Sequence, residues 1–463
     1  MRFLIVSPDY ASHYYPMSAV AEVLRARGHD VVIATGPTLA DRVRADGFEH
    51  RELVLGPGAN PGLIRPGEQP VEEASRLRAF LDATRAGMVA TLRYQAESRL
   101  RDLLWRPMEV TGALREIVSE VRPTLVMSDQ LAFGATLALR ALEQPYVSFH
   151  PGHPSAIPGP GEVFGFPARR PSEFAVQAAE LAELKRLCGD VSRRFTRVFN
   201  AALLTLNPDA AEVASALSAT SPLLTLLNYP AELAGYRRAL LPRGARFIGA
   251  SMSHNEPAEG AFNRKPAETS SRPRIYVSFG SFLSARGDVL RRVVDAFRDS
   301  PAELIVASGV TPPFELGTIR EGWRVEPFLP QQELLPACDL VICHGGNNTV
   351  TEALSCGVPL LVAPFSTDQF AGAEDVRRAG LGDVFDPNTT TAVEIGLRAR
   401  RVLEGGAPRG AAQLGERLRA VPGPALAADL IEQAGIRTKV VASGGRSSHS
   451  RPRPIDAAHM VSS

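Results

Sequence analysis

Residues 342–354 read ICHGGNNTVTEAL, which puts a histidine and two glycines where an apolar run stops and a helical pattern begins. Glycine lets the backbone approach a ligand closely, and the first turn of a helix offers free N–H groups to an anion. A phosphate or diphosphate is the natural guest. His344 can donate to its oxygens, Gly345 and Gly346 shape the turn, and Asn347, Asn348 and Thr349 bring further donors. Ser281, just after the apolar run RIYVSFG, can approach from a neighbouring strand end. Glu352 faces the same way as Asn348, one helical turn further on. A carboxylate is a poor neighbour for phosphate but a good acceptor for two vicinal hydroxyls, which fits a ribose beside the phosphates. A Gly-Gly after a strand is also often only a tight turn. The stretches GPGANPG and PGPGE join no strand to a helix, and none of these is a Walker or Rossmann fingerprint.

The elements that must carry these turns alternate. RFLIVS reads as a buried strand, MSAVAEVLRARG as a helix closed by Gly28, and DVVIAT as the next strand, a βαβ opening that requires parallel pairing. TLVMSD, PYVSFH and ALLTLN read as further strands, with helices such as 72–94 and 171–199 between them. After residue 273 the strands are RIYVSFG, AELIVASG, WRVEPF, DLVICHG and PLLVAPF. The expectation is an α/β protein of two Rossmann-like, doubly wound parallel-sheet domains facing a central cleft. Residues 1–240 form the first domain, 241–273 a polar linker, 274–437 the second domain, and 438–463, rich in Gly, Ser, Arg and Pro, a disordered tail. In such sheets ligands bind beyond the carboxyl ends of the strands, which selects 280–281, 328–331, 344–348 and 365–369.

Composition narrows the function. The chain has 463 residues, 44% of them hydrophobic, and a net charge of +1 with both signs dispersed, so it has no electrostatic footprint for nucleic acid. The opening MRFLIVSPDY is too short an apolar run for a leader or anchor, and no long apolar segment follows, so a soluble, cytoplasmic protein is expected. Cys188, Cys338, Cys343 and Cys356 form no CxxC pair; buried reduced thiols are expected rather than a zinc site with His344.

The stretch 328–380, FLPQQELLPACDLVICHGGNNTVTEALSCGVPLLVAPFSTDQFAGAEDVRRAG, resembles the donor-binding signature of family 1 glycosyltransferases. That group includes plant UDP-glycosyltransferases, bacterial macrolide and other natural-product glycosyltransferases, and carotenoid glucosyltransferases. The order is long: a Pro-Gln pair, a His-Gly-Gly turn, a glutamate eight positions after the histidine, a Gly-Val-Pro and an Asp-Gln pair. By the resemblance, Phe328, Leu329 and Gln331 line the base pocket, with Phe328 where many relatives have tryptophan. His344, Asn348, Thr349 and Ser281 hold the diphosphate, Glu352 the ribose hydroxyls, and Asp368 and Gln369 the sugar. Relatives that use dTDP-sugars tend to lack the glutamate, which favours UDP.

The first half is similar too. SPDYASHYYPMSAVAEVLRARGHDV places His13 where relatives carry the catalytic base, with Ser12 where glycine is commoner, and TLVMSDQLAFGATLA supplies Asp129 as its partner. The resemblance implies the GT-B fold and an inverting transfer from a UDP-sugar, such as UDP-glucose or UDP-N-acetylglucosamine, that needs neither metal nor cofactor; the chain contains no DxD. The acceptor side implied is an apolar small molecule, walled by 56–70 and by HPGHPSAIPGPGEVFGFP, in natural-product or carotenoid chemistry. A UDP-sugar epimerase and a catalytically silent partner protein share the fold and stay open as alternatives.

Overall fold

The computed structural model describes residues 1–62, 71–102, 104–252 and 272–444. The first sheet takes β1 (Arg2–Val6), β2 (Asp30–Thr35), β3 (Glu49–Glu52), β4 (Leu125–Asp129), β5 (Tyr146–His150), β6 (Thr225–Leu227) and β7 (Ala245–Phe247), in the order β3-β2-β1-β4-β5-β6-β7. The second takes β8 (Arg274–Ser278), β9 (Glu303–Ala307), β10 (Arg324–Glu326), β11 (Leu340–Cys343), β12 (Leu360–Val362) and β13 (Gly382–Val384), in the order β10-β9-β8-β11-β12-β13. Every strand pairing within them is parallel. Helices cover both faces, which is why β4, β5 and β11 are buried at every position. In each sheet the winding reverses once, between β1 and β4 and between β8 and β11. The fold class is the expected one.

Several boundaries differ from the sequence reading. ALLTLN (202–207) is not a strand but the end of the helix Ala178–Leu206. Phe195, Phe199 and Leu203 are buried at a spacing of four, so the apolar run continues one helical stripe. The strand sought there is β6, three buried residues that begin at Thr225. The single helix expected over 72–94 is two, Val71–Ala86 and Met88–Asp102, with Gly87 at φ +104° between them. β3 and β13 have no counterpart in the sequence reading, since EHRE and GDV carry almost no apolar signal.

The division into domains shifts as well. β7 pairs with β6, so the first sheet runs past residue 240, and most of the expected linker, 253–271, lies outside the described residues. The last helix, Gly423–Gly444, returns to the first domain, where Ala427, Ala428 and Ile431 pack with Phe3 and Ile5. Residues 438–444 are therefore helix rather than tail, and 445–463 lie outside the described residues. Arg27 meets Asp429 at 2.7 Å and Glu432 at 3.0 Å, and His29 Nε2 reaches Glu432 at 2.8 Å. These half-exposed pairs add little, and burial of the apolar face does most of the holding.

The two domains also share one apolar cluster. Met88, Leu92, Phe174 and Leu184 from the first meet Leu354 and Phe370 from the second, with the Phe174 and Phe370 rings edge to face at 5.0 Å. Among the described residues no helix is long and apolar enough to cross a membrane. The returning helix gives a direct test: Ile431→Ala should cost about 2–4 kcal/mol in denaturant unfolding of the first domain. A loss below about 0.5 kcal/mol, the level of an ordinary surface change, would mean that the helix is not docked there.

Candidate active site

The chain leaves β1 through a loop sewn to the rest of the first domain. The Asp9 carboxylate accepts from the backbone N–H groups of Thr38 and Leu39 at 3.1 and 3.0 Å, and Ala11 N–H donates to the Asn60 carbonyl at 2.7 Å. Helix Ala11–Ala26 starts earlier than the sequence suggested, so His13 sits in its first turn and not in a loop. Pro16 is inside that helix. Proline has no N–H, so the Ser12 carbonyl four residues back has no helical donor. The Asn348 side chain of the second domain supplies one, donating to Ser12 O at 2.7 Å.

His13 reaches Asp129 at the carboxyl end of the neighbouring β4. The distance from Nδ1 to Asp129 Oδ2 is 2.8 Å, and Asp129 is fully buried, its other oxygen accepting from Leu131 N–H at 2.7 Å. An ionised Asp129 sets the tautomer: Nδ1–H donates and Nε2 keeps its lone pair. Burial alone would lower the His13 pKa, but the charge and hydrogen bond of Asp129, with a smaller push from Asp368, outweigh it and hold the pKa above the usual 6.5.

The corresponding position in the second sheet carries His344. A Cβ on Gly280 would lie 3.0 Å from His344 Cε1, and one on Gly346 would collide with Nε2, so both residue types make room for the ring. Burial drops the His344 pKa to about 4, which keeps the imidazole neutral at physiological pH. Its Nδ1 is buried without a partner among the described residues. Helix Asn347–Ser355 begins at Gly346 with no side-chain cap. Its first N–H groups directly follow the His344 turn.

Around it, the residues expected to bind a nucleotide are largely engaged with protein. Glu352, 8% exposed, accepts from Gln331 Nε2 at 2.5 Å and Gln332 Nε2 at 2.9 Å, while burial raises its pKa. Thr349 Oγ1 donates to Gln331 Oε1 at 3.4 Å. Phe328 is open to solvent and Leu329 is buried. The Gln369 side-chain oxygen accepts from Phe365 and Ser366 N–H at 3.0 and 3.1 Å and so shapes its own turn.

Four further residues reach across to the first domain. Asn347 Nδ2 donates to the carbonyls of Pro151 and Asn228, both at 2.7 Å. Asn348 holds Ser12 O and also accepts from Asn228 Nδ2 at 3.4 Å. Ser281 Oγ accepts from Asn60 Nδ2 at 2.8 Å, and Asp368 Oδ2 accepts from His153 N–H at 2.8 Å.

Asn60, Asn228, His153 and Gln332 were not singled out in the sequence. Asn228 directly follows β6, so the strand-end rule finds it once β6 is recognised; Gln332 adjoins the Pro-Gln pair; Asn60 and His153 carry no local signal. His153 also joins the domains through its side chain, with Nε2 3.0 Å from Asp375 Oδ2, which accepts from Tyr229 OH at 3.1 Å. The acceptor walls expected at 56–70 are described only to residue 62.

Known proteins share parts of this sequence and its fold. Residues 291–433 match the family described as erythromycin biosynthesis protein CIII-like, C-terminal domain. Demethyllactenocin mycarosyltransferase of Streptomyces fradiae is 37% identical over 163 residues, 35% of each chain. With the first curated relatives the match spans only about a third of the relative's length. Zeaxanthin glucosyltransferase of Pseudescherichia vulneris is 26% identical over 82% of this chain and 85% of its own. The spinosyn rhamnosyltransferase SpnG, solved with thymidine diphosphate, shares the fold with a TM-score of 0.60 and 20% identity over 93% of this chain and all of its own.

The His13–Asp129 pair makes a prediction independent of any reaction. The His13 ring, followed by NMR, should titrate above 6.5 in the native protein and below 6.5 in Asp129→Asn, where burial acts without the opposing charge. An unchanged midpoint would mean that the two are not coupled as described.

Proposed function

We propose, taking as premise that this chain has the GT-B fold and resembles natural-product glycosyltransferases along its length, that it transfers a sugar from a UDP-sugar to an apolar small molecule with inversion at the anomeric carbon. One observation carries the reading. The His13–Asp129 pair and the His344 turn stand at the winding reversals of the two sheets, and Asn348 binds the very turn that carries His13. A base and an anion cradle are thus held on opposite sides of one cleft.

The chemistry follows from the protonation states. An acceptor hydroxyl gives its proton to His13 Nε2 while its oxygen attacks the anomeric carbon. The bond from that carbon to the β-phosphate oxygen breaks and its electron pair leaves with the diphosphate. Asp129 stabilises the imidazolium formed. The growing negative charge meets the N–H groups at the start of helix Asn347–Ser355 and the neutral His344, which donates without bringing its own charge. Glu352 suits the ribose of a UDP donor: each of its oxygens, already accepting from Gln331 or Gln332, has a further lone pair for one of two vicinal hydroxyls, and a deoxyribose would offer only one. Asp368 and Gln369 suit the transferred sugar. A diphosphate at this helix would compete with Asn60 for Ser281, so donor entry exchanges protein contacts for ligand contacts.

Mass spectrometry of UDP-sugars incubated with hydroxylated aglycones should show an acceptor gaining one hexosyl or N-acetylhexosaminyl mass, with the anomeric configuration inverted by NMR. With an identified acceptor, His13→Ala should lose roughly 10²–10⁴ in kcat, and kcat/KM should fall as the pH drops through the His13 pKa, because only the neutral ring accepts a proton. Full turnover by His13→Ala, or a UDP-sugar altered with no need of an acceptor, sinks the reading. Glu352→Gln should narrow the preference for UDP over dTDP donors by roughly tenfold; an unchanged ratio would remove Glu352 from donor choice.

A further inference from the structure

Helix Met88–Asp102 brings a cation to the acceptor side of the cleft. Gln95 Oε1 on this helix accepts from Thr367 N–H at 3.1 Å, the residue before Asp368. Arg99 lies one turn further along the same helical face. Its guanidinium stands 4.6 Å over the Phe164 ring. Gly165, at φ +80°, adjoins it, and any Cβ there would run into the guanidinium nitrogens. The positive φ by itself favours glycine there.

Among the described residues Arg99 has no ion-pair or hydrogen-bond partner. Burial lowers its pKa, and the carboxylate that works against this is that of Asp368, with which it makes no contact; the buried Cys188 thiol, its own pKa raised, brings no charge. Other arginines at this domain boundary behave differently. Arg286 holds Asp288 through two nitrogens at 2.8 Å, Arg237 holds Glu162 at 2.5 Å, and Arg398 holds Asp383 at 3.1 Å. A half-buried guanidinium loses hydration, and an aromatic face returns only about 0.5–2 kcal/mol of it. Its forked N–H groups match a carboxylate bidentately. That leaves a place for the anion of a ligand.

We propose that Arg99 is the counter-ion of a carboxylate on the acceptor, so that the acceptor is an amphipathic acid rather than a neutral hydrophobe. This rests on the transferase reading and specifies its substrate class. The acceptor, and not the donor sugar, is chosen because Arg99 and the Phe164 ring that carries it both belong to the first domain.

Binding reads the inference without turnover. A panel of hydroxylated aromatic carboxylic acids, each paired with its methyl ester, is titrated into the full chain by calorimetry. The native protein should bind the acids about tenfold or more tightly than the esters, as one charge-assisted contact allows. Arg99→Gln should bring the ratio to near one, and Arg99→Lys should keep part of it. Equal binding of acids and esters, failure of every acid to bind, or a preference that survives Arg99→Gln overturns the proposal. So does a preference for UDP-glucuronate over UDP-glucose that disappears in Arg99→Gln, which would put the carboxylate on the donor. If Arg99→Gln does not fold, the native ratio and its decline with added salt decide the matter. Sugar transfer to neutral aglycones without any preference for acids would retain the transferase reading and remove this one.

Discussion

Where a parallel sheet reverses its winding, the loops on either side leave in opposite directions and open a crevice at the carboxyl edge. This protein makes that crevice twice, between β1 and β4 and between β8 and β11, and turns the two toward each other. The side chains discussed above are consequences of that placement. His13 and Asp129 come from the two strands flanking the first reversal, and Ser281 and His344 from those flanking the second. Neither pair could be brought together by neighbouring sequence, because 116 positions separate His13 from Asp129.

Polar groups facing one another across such a cleft cannot be left unpaired when buried. The protein satisfies them with short amide contacts between domains: Asn60 to Ser281, Asn348 to Ser12, Asn347 to Pro151 and Asn228. The contact to Ser12 is available only because Pro16 withholds a helical donor. A residue that ordinarily weakens a helix here exposes a carbonyl to the other domain. His153, Asp375 and Tyr229 continue the seam as a buried polar network, and the Phe174–Phe370 contact closes it with apolar surface.

Much of this was legible in the amino-acid sequence, and the parts that were not share a cause. The apolar runs of β1, β4, β8 and β11 identify themselves, and the turn after β11 shows its glycines, histidine and glutamate in one continuous stretch. ALLTLN misled because four apolar residues at a helix end look like a short strand until the spacing back to Phe195 is followed. Taking it for a strand hid β6, and with it Asn228. The docking of helix Gly423–Gly444 on the first sheet, and the contacts of Asn60 and His153, are long-range pairings with no local periodicity to betray them. Arg99 carries no signal in the sequence, because an unpaired cation shows itself only once the surrounding carboxylates have been placed by the fold.

The return of the last helix to the first domain has a mechanical meaning. The chain passes between the domains twice, once after Phe247 and again between the helices Ala407–Ala420 and Gly423–Gly444. The stretch that leaves the second domain is thus anchored in the core of the first through Ala427, Ala428 and Ile431, so separating the domains would strip apolar surface there as well as break the amide contacts.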